Sequence, residues 1–220
     1  MRDDSSRKHF LSYTVGIFTV MALSFQANAV PLTTGNTVLT SGATVLNAGT
    51  VLTNEVVVFS GVNGSGGTNF TGTLQLQVVK ETGSGSLDFY YQIFNNSSSA
   101  DAIMRLTAGN YTGFATDVDW TNNAAIGVGS TYADRTTADT VGFSFVGAPI
   151  GRGAILPGTN SALLFIKTDA TQYTLGTVSL INNATANVLA FAPIPEPSTW
   201  ALIVLGGAVV FGFVRPWREE

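Results

Sequence analysis

The sequence predicts an all-β protein whose centre is a β-sandwich of about eight or nine short strands. Short runs of β-branched and aromatic residues recur along the chain, and several alternate apolar with polar positions. Turns rich in Gly, Asn and Ser separate these runs, and no central segment has the period of an amphipathic helix. We expect the sandwich to be flanked by an N-terminal signal helix and a C-terminal single transmembrane helix.

Residues 1–29 are typical of a secretory signal peptide. A basic start is followed by a mostly apolar stretch, residues 10–25, and then by Ala27-Asn28-Ala29. Small residues at Ala27 and Ala29 fit the pattern that signal peptidase accepts, so cleavage after Ala29 would begin the mature chain at Val30. The alternative is an uncleaved membrane anchor, and the short apolar run favours cleavage.

A weak repeat follows, in which Thr-Val-Leu occurs at residues 37–39, 44–46 and 50–52. Three copies are too few to indicate a solenoid. We therefore expect an ordinary ribbon at the edge of the sheet.

The clearest hairpin is predicted at residues 71–79 and 87–94. In the first run Leu74, Leu76 and Val78 alternate with polar residues, and Gly83-Ser84-Gly85 turns the chain. The second run alternates in the same way. The other predicted strands cover residues 56–59, 103–106, 114–118, 141–146, 162–167, 173–181 and 188–191, and a polar excursion is expected at 122–140.

Composition excludes several kinds of chemistry. The chain has no cysteine, and its one histidine, His9, lies in the signal segment. Removal of that segment would leave no residue for a thiol nucleophile, a Ser-His-Asp triad or a usual zinc site. A net charge of −4 without a basic patch argues against nucleic acid as a partner. No cofactor is predicted.

Acidic residues offer two weak candidate sites. Asp117, Asp119, Asp134 and Asp139 could supply oxygen ligands for Ca²⁺, but no known ligand spacing frames them, so we expect a solvated face. A pair among Asp88, Asp101, Asp117 and Asp119 could hydrolyse a glycosidic bond. Nothing in the sequence singles out such a pair, so an enzyme is the least favoured reading.

Four aromatic residues, Tyr90, Tyr111, Trp120 and Tyr132, are candidates for a carbohydrate-binding surface. Aromatic rings stack on sugars, but they also fill the core of a sandwich. The sequence leaves both interpretations open.

The C-terminal segment, residues 193–220, is typical of an address handled at a membrane. Pro195-Glu196-Pro197 keeps the chain extended, and a helix can begin after it. Residues 200–214 would span about 22 Å as a helix, which is short against a hydrocarbon core of roughly 30 Å. Trp200 suits the interface, and Arg215 and Arg218 place the tail in the cytoplasm.

This segment resembles the sorting signal of the PEP-CTERM family of exported bacterial proteins. The resemblance rests on Pro195, Glu196, Pro197, Trp200 and the apolar run, with Arg215 and Arg218 behind it. It implies a Gram-negative source, export through the Sec translocon, and cutting near the Pro-Glu-Pro triplet by an exosortase. One departure is that Pro216 and Trp217 interrupt the basic cluster. A plain tail anchor without processing is the alternative.

Together these features predict a signal peptide at residues 1–29, a β-sandwich at 30–192 and a sorting signal at 193–220. We expect a protein anchored in the inner membrane before processing and then placed at the cell surface or in the extracellular matrix. Its expected role is structural or adhesive, in association with exopolysaccharide or biofilm. The alternative is a carbohydrate-binding module for the exopolysaccharide, and a glycan-active hydrolase is a distant third.

Overall fold

The computed structural model describes residues 29–42, 46, 48–121, 127–147 and 153–194. These residues form strands and turns and no helix, which confirms the predicted all-β class. Both predicted flanking helices fall on residues 1–28 and 195–220, outside the described residues. Within the described ranges, no helix has the length and apolar character needed to cross a membrane.

The described residues form twelve strands in one continuous sheet. The strands are β1 (Val30–Pro31), β2 (Thr37–Leu39), β3 (Gly49–Val62), β4 (Thr68–Glu81), β5 (Leu87–Asn95), β6 (Arg105–Ala108), β7 (Thr116–Trp120), β8 (Tyr132–Asp134), β9 (Val141–Ser144), β10 (Leu164–Thr168), β11 (Tyr173–Ile181) and β12 (Thr185–Pro193). Their order in the sheet is β1-β7-β10-β5-β4-β3-β12-β11-β6-β9-β8-β2, and every named pair is antiparallel.

The two ends of this sheet belong to one short segment of chain. Strand β1 pairs with β7 at one end, and β2 pairs with β8 at the other. Between them, the Gly35 N–H donates to the Arg135 carbonyl and the Arg135 N–H donates to the Asn36 carbonyl. Residues 30–39 therefore connect the two ends, and the sheet is nearly closed on itself.

The predicted hairpin is confirmed as β4–β5. Leu74 lies opposite Ile93 and Leu76 opposite Tyr91, so the alternating apolar residues meet on one face. Their side chains are buried in the main core, together with Phe143 from the other half of the sheet. Strand β5 is not half-buried, because most of its residues on the face away from the main core are buried as well.

Gly72 is required where the hairpin crosses the core. A Cβ at this position would overlap the Phe94 carbonyl and the ring of Phe59. A side chain here would push the backbone of β4 away from β5.

Two expectations about the strands are wrong. The described residues hold twelve strands where eight or nine were expected, because β1, β2 and β8 have only two or three residues and no alternating pattern of their own. Strand β8 lies within the supposed polar excursion. The Thr-Val-Leu copies also do not form one ribbon: the first is the edge strand β2, the third lies in the long β3, and Thr44 and Val45 lie outside the described residues.

Candidate functional site

A row of charged side chains crosses three neighbouring strands on the outer face of the sheet. We use outer face for the side of β7, β10, β5 and β4 that is opposite the main core. In β5, Phe89 and Tyr91 belong to the core, so Asp88 and Tyr90 lie on the outer face. Lys167 of β10 lies directly opposite Asp88 in the ladder.

Lys167 contacts two carboxyl groups at once. Its Nζ donates to Glu81 Oε1 at 2.9 Å and lies 3.9 Å from Asp88 Oδ2. The Tyr90 hydroxyl donates to the same Asp88 oxygen at 3.2 Å. We call Glu81, Asp88 and Lys167 the outer-face triad.

Asp88 is the most buried member of the triad, with 1% of its surface exposed. Burial raises the pKa of its carboxyl group to about 7, Lys167 lowers it, and the charge and hydrogen bonding of Glu81 raise it again. Asp88 is therefore half protonated near neutral pH, which is unusual for an aspartate. Burial, and the neighbouring Asp88, also raise the pKa of Tyr90, which stays a neutral donor.

Apolar groups surround the triad on the same face. The rings of Tyr90 and Phe165 pack with their centroids 5.9 Å apart. Val79, Leu163 and Ala29 pack against this pair. The amine and carboxyl groups of the triad therefore lie in a poorly solvated place.

A cavity of about 400 Å³ opens beside the triad. Its lining residues come from the N-terminus of the described chain, from β4, and from β7 and β10 with one residue next to each, namely Ala29, Glu81, Ala115, Asp117, Lys167, Thr168 and Asp169. Burial raises the pKa of the half-buried Asp117, with Lys167 acting against the shift and Glu81 adding to it. The cavity has acidic and amine groups at its wall.

A free Asp88 carboxyl group should make the free energy of unfolding depend on pH. Its pKa is near 7 in the folded chain and about 4 in an unfolded one, so its contribution is complete below pH 4. We expect the free energy of unfolding to fall by a few kcal/mol as the pH rises from about 4 to above 7. Urea midpoints across this range would measure the effect in a Lys167→Arg chain, where arginine keeps the positive charge without a titrating amine.

The control adds Asp88→Asn to the same Lys167→Arg chain. Asparagine keeps the shape and does not titrate, so the decline between pH 4 and 7 should disappear. An equal decline in both chains would assign it to other groups.

The expectation of a solvated acidic face is wrong for two of its four residues. Asp119 is fully buried, and its Oδ1 accepts hydrogen bonds from the N–H groups of Gly42 and Trp120, each at 2.9 Å. Asp134 is also buried, and it forms a two-pronged ion pair with Arg105. Asp139 is exposed. Within the described ranges, no group of three acidic or histidine side chains is placed to hold a metal ion.

The interpretation of the aromatics as a sugar-binding surface fails for three of them. Tyr111 and Trp120 belong to the main core, and Tyr90 packs against Phe165 on the outer face. Only Tyr132 is partly exposed among the four. Trp120→Ala would therefore remove core packing, at a cost of about 3–5 kcal/mol, and it cannot serve as a clean test of sugar binding.

Most of the sorting and cleavage residues lie outside the described residues. This applies to Ala27, Pro195, Glu196, Pro197, Trp200, Arg215 and Arg218. Ala29 is described, half-buried at the cavity wall, and Val30 begins β1 directly after it.

Sequence reasoning missed Lys167 and Glu81 as partners of Asp88. The available signal is a lysine inside the apolar run of β10, Leu164–Thr168, where an amine needs a nearby carboxylate. The sequence does not show which carboxylate this is, because the partner depends on strand register.

A second feature is the edge of β3 that faces away from β4, where β12 is the next strand in the sheet. On one side β3 pairs with β4 from Gly49 to Val62. On the other side, pairing within the described part of the chain joins only Val62 to Thr185 of β12. Val56 and Val58 are 64% and 80% exposed, and Glu55 is the one charged residue of the strand. We call this feature the β3 edge.

Searches for relatives returned no matching protein family model, no matching curated protein and no matching solved structure.

Proposed function

We propose that the chain is an exported surface or extracellular-matrix protein, sorted by an exosortase, with a structural or adhesive role in association with exopolysaccharide or biofilm. Two lines of support stand behind this proposal, namely the address segments of the sequence and the β3 edge. The proposal assigns contact rather than catalysis to the β domain.

The address segments fit the limits of the folded domain. The first strand begins at Val30, the residue that would follow signal peptidase cleavage, and the last strand ends at Pro193. The Pro195-Glu196-Pro197 triplet follows two residues later. Cuts at both places would leave every described strand in the released protein.

The β3 edge carries the adhesive part of the proposal. Natural proteins usually protect long edge strands with lysine, proline or an irregularity, since an open edge pairs with other chains. Strand β3 has neither lysine nor proline, and its two register shifts, at Val51/Thr53 and Gly61/Val62, lie on either side of Val56 and Val58. Val56 and Val58 therefore present exposed apolar side chains on a strand with little pairing on one side, which suits assembly with further copies or with matrix components.

A lysine on the β3 edge should weaken assembly. Val58 is 80% exposed, so Val58→Lys should leave the fold intact while its charge opposes strand addition. We expect at least a tenfold higher protein concentration for the onset of self-association, measured by light scattering at low salt. Val58→Thr is the matched control, because threonine keeps the branched shape without a charge. Equal onset for the lysine variant and the wild type would exclude this edge.

We also propose that the strands form two packed sheets, as in a sandwich. The strand order divides into two groups of six at β3–β12, where the described residues show one paired position. Across the core the Tyr91 hydroxyl lies 3.0 Å from the Tyr111 hydroxyl and donates to the Phe191 carbonyl at 3.3 Å. Both features are what two facing layers would produce.

We do not carry the alternative of carbohydrate binding forward. Three of its four candidate aromatics are buried, so they offer no stacking platform.

Intact-mass analysis of the exported protein tests the sorting part of the proposal. We expect a chain that begins at Val30 and ends near Pro195. A surface-released chain that still reaches Glu220 would refute exosortase processing, and a retained residue 1 would refute signal peptidase cleavage.

A further inference from the structure

The outer-face triad has the composition and geometry of a reaction between its own members. From this arrangement we infer that Lys167 and Asp88 join in an intramolecular amide bond, with Glu81 as the base of the reaction. This inference concerns a covalent modification of the domain, and it does not depend on where the protein is located.

The backbone places the two reacting groups side by side. Lys167 and Asp88 are directly opposed residues of neighbouring antiparallel strands, and both side chains point to the outer face. The amine nitrogen lies 3.9 Å from an Asp88 oxygen, so small side-chain rotations bring it to the carboxyl carbon. Groups held in this way react with effective concentrations on the order of 10⁵–10⁸ M.

The surroundings favour the neutral forms that the reaction needs. Asp88 is almost fully buried and keeps a proton more readily than an ordinary aspartate. A protonated carboxyl is attacked by an amine, whereas a carboxylate resists the attack. Tyr90 donates to Asp88 Oδ2 and can support the charge that develops on oxygen during the attack.

Glu81 is placed to remove a proton from the amine. Its Oε1 accepts from Lys167 Nζ at 2.9 Å, the shorter of the two contacts of the amine with the carboxyl groups. A second oxygen of Glu81 accepts from the Ser84 hydroxyl at 2.9 Å, which holds the carboxylate in position. Glu81 thus touches the reacting nitrogen directly.

The reaction balances without a further reagent. Glu81 takes one proton from the Lys167 ammonium, and the neutral Nζ attacks Cγ of protonated Asp88. The Nζ–Cγ bond forms and the Cγ–OH bond breaks, and the hydroxyl leaves as water with a second proton from the amine. The products are a secondary amide, one water and a protonated Glu81, which then returns its proton to solvent.

Such a bond would replace what the composition lacks. A chain without cysteine cannot form a disulfide. The amide would connect β5 to β10 by a bond that does not respond to the redox potential of the surroundings.

Peptide mapping of the purified full-length chain tests the inference. The folded protein is denatured, digested and analysed by tandem mass spectrometry. We expect one branched peptide in which the Asp88 and Lys167 segments are joined, lighter than their sum by one water. Trypsin should not cut after Lys167 in this species.

Three variants make the test specific. Lys167→Arg removes the amine and Glu81→Gln removes the base, so both should yield only linear peptides. Asp117→Asn changes a neighbouring acid at the cavity wall and should still yield the branched peptide. Circular dichroism of each variant confirms that the β fold is present.

Linear Asp88 and Lys167 peptides from folded wild-type protein would overturn the inference. A branch that ends on Glu81 would overturn the assignment of the two carboxyl groups. An undiminished branched peptide in Glu81→Gln would overturn the role of Glu81 as base.

Discussion

Replacing Lys167 by arginine is expected to lower the free energy of unfolding by about 4 kcal/mol, because it removes a covalent link that closes a loop of roughly 80 residues. The link acts by restricting the unfolded chain, whereas the arginine retains the positive charge beside Glu81. For a domain of this size the loss corresponds to a melting temperature lower by about 10 °C.

Urea unfolding of the wild type and the variant measures this difference. Lys80→Arg is the matched control. It makes the same chemical change on an exposed lysine of β4, and its midpoint should equal that of the wild type. If Lys167→Arg unfolds at the wild-type midpoint although the branched peptide is present in the wild type, the bond forms without stabilising the fold.

Replacing Arg135 by methionine is expected to cost about 3–5 kcal/mol, because it strips hydrogen bonds from several buried acceptors at once. Arg135 is buried, with 4% of its surface exposed. It donates to the carbonyl groups of Tyr111, Phe114 and Ala138 at 2.5–3.1 Å. Its backbone meanwhile pairs with Gly35 and Asn36.

Arg135→Lys is the graded control. A lysine keeps the charge, but a single ammonium cannot reach three separated carbonyls in the way that the planar guanidinium does. We expect it to recover less than half of the loss, and amide hydrogen exchange should accelerate at Leu32 and Gly35 in both variants. A loss below about 1 kcal/mol for methionine would show that other contacts hold the ends of the sheet together.

The strands that could be predicted are those in which apolar and polar residues alternate. The bounds expected for residues 173–181 coincide with β11, and the β4–β5 hairpin turns at the expected glycines. Strand β8 could not be predicted, because three residues among polar neighbours become a strand only through pairing with β2 and β9. Short strands of this kind depend on tertiary contacts that local sequence does not encode.

The candidate site shows the same limit for side chains. Alternation correctly places Asp119 on the face away from the core, but it cannot reveal that the chain at Gly42 crosses over that face and buries it. The alternating pattern also cannot show that Glu81 contacts Lys167, because the two residues are 86 positions apart in the sequence. The composition, by contrast, already excludes thiol chemistry, because the chain has no cysteine.

The segment that connects the two ends of the sheet has a consequence for the order of events during synthesis. Among the described strands, β1 and β2 leave the ribosome first, yet their partners are β7 and β8, which are made roughly ninety residues later. Strands β1 and β2 therefore cannot form these pairs until β7 and β8 have emerged. Closure of the sheet is therefore a late step, which cannot be completed before β8 has been made.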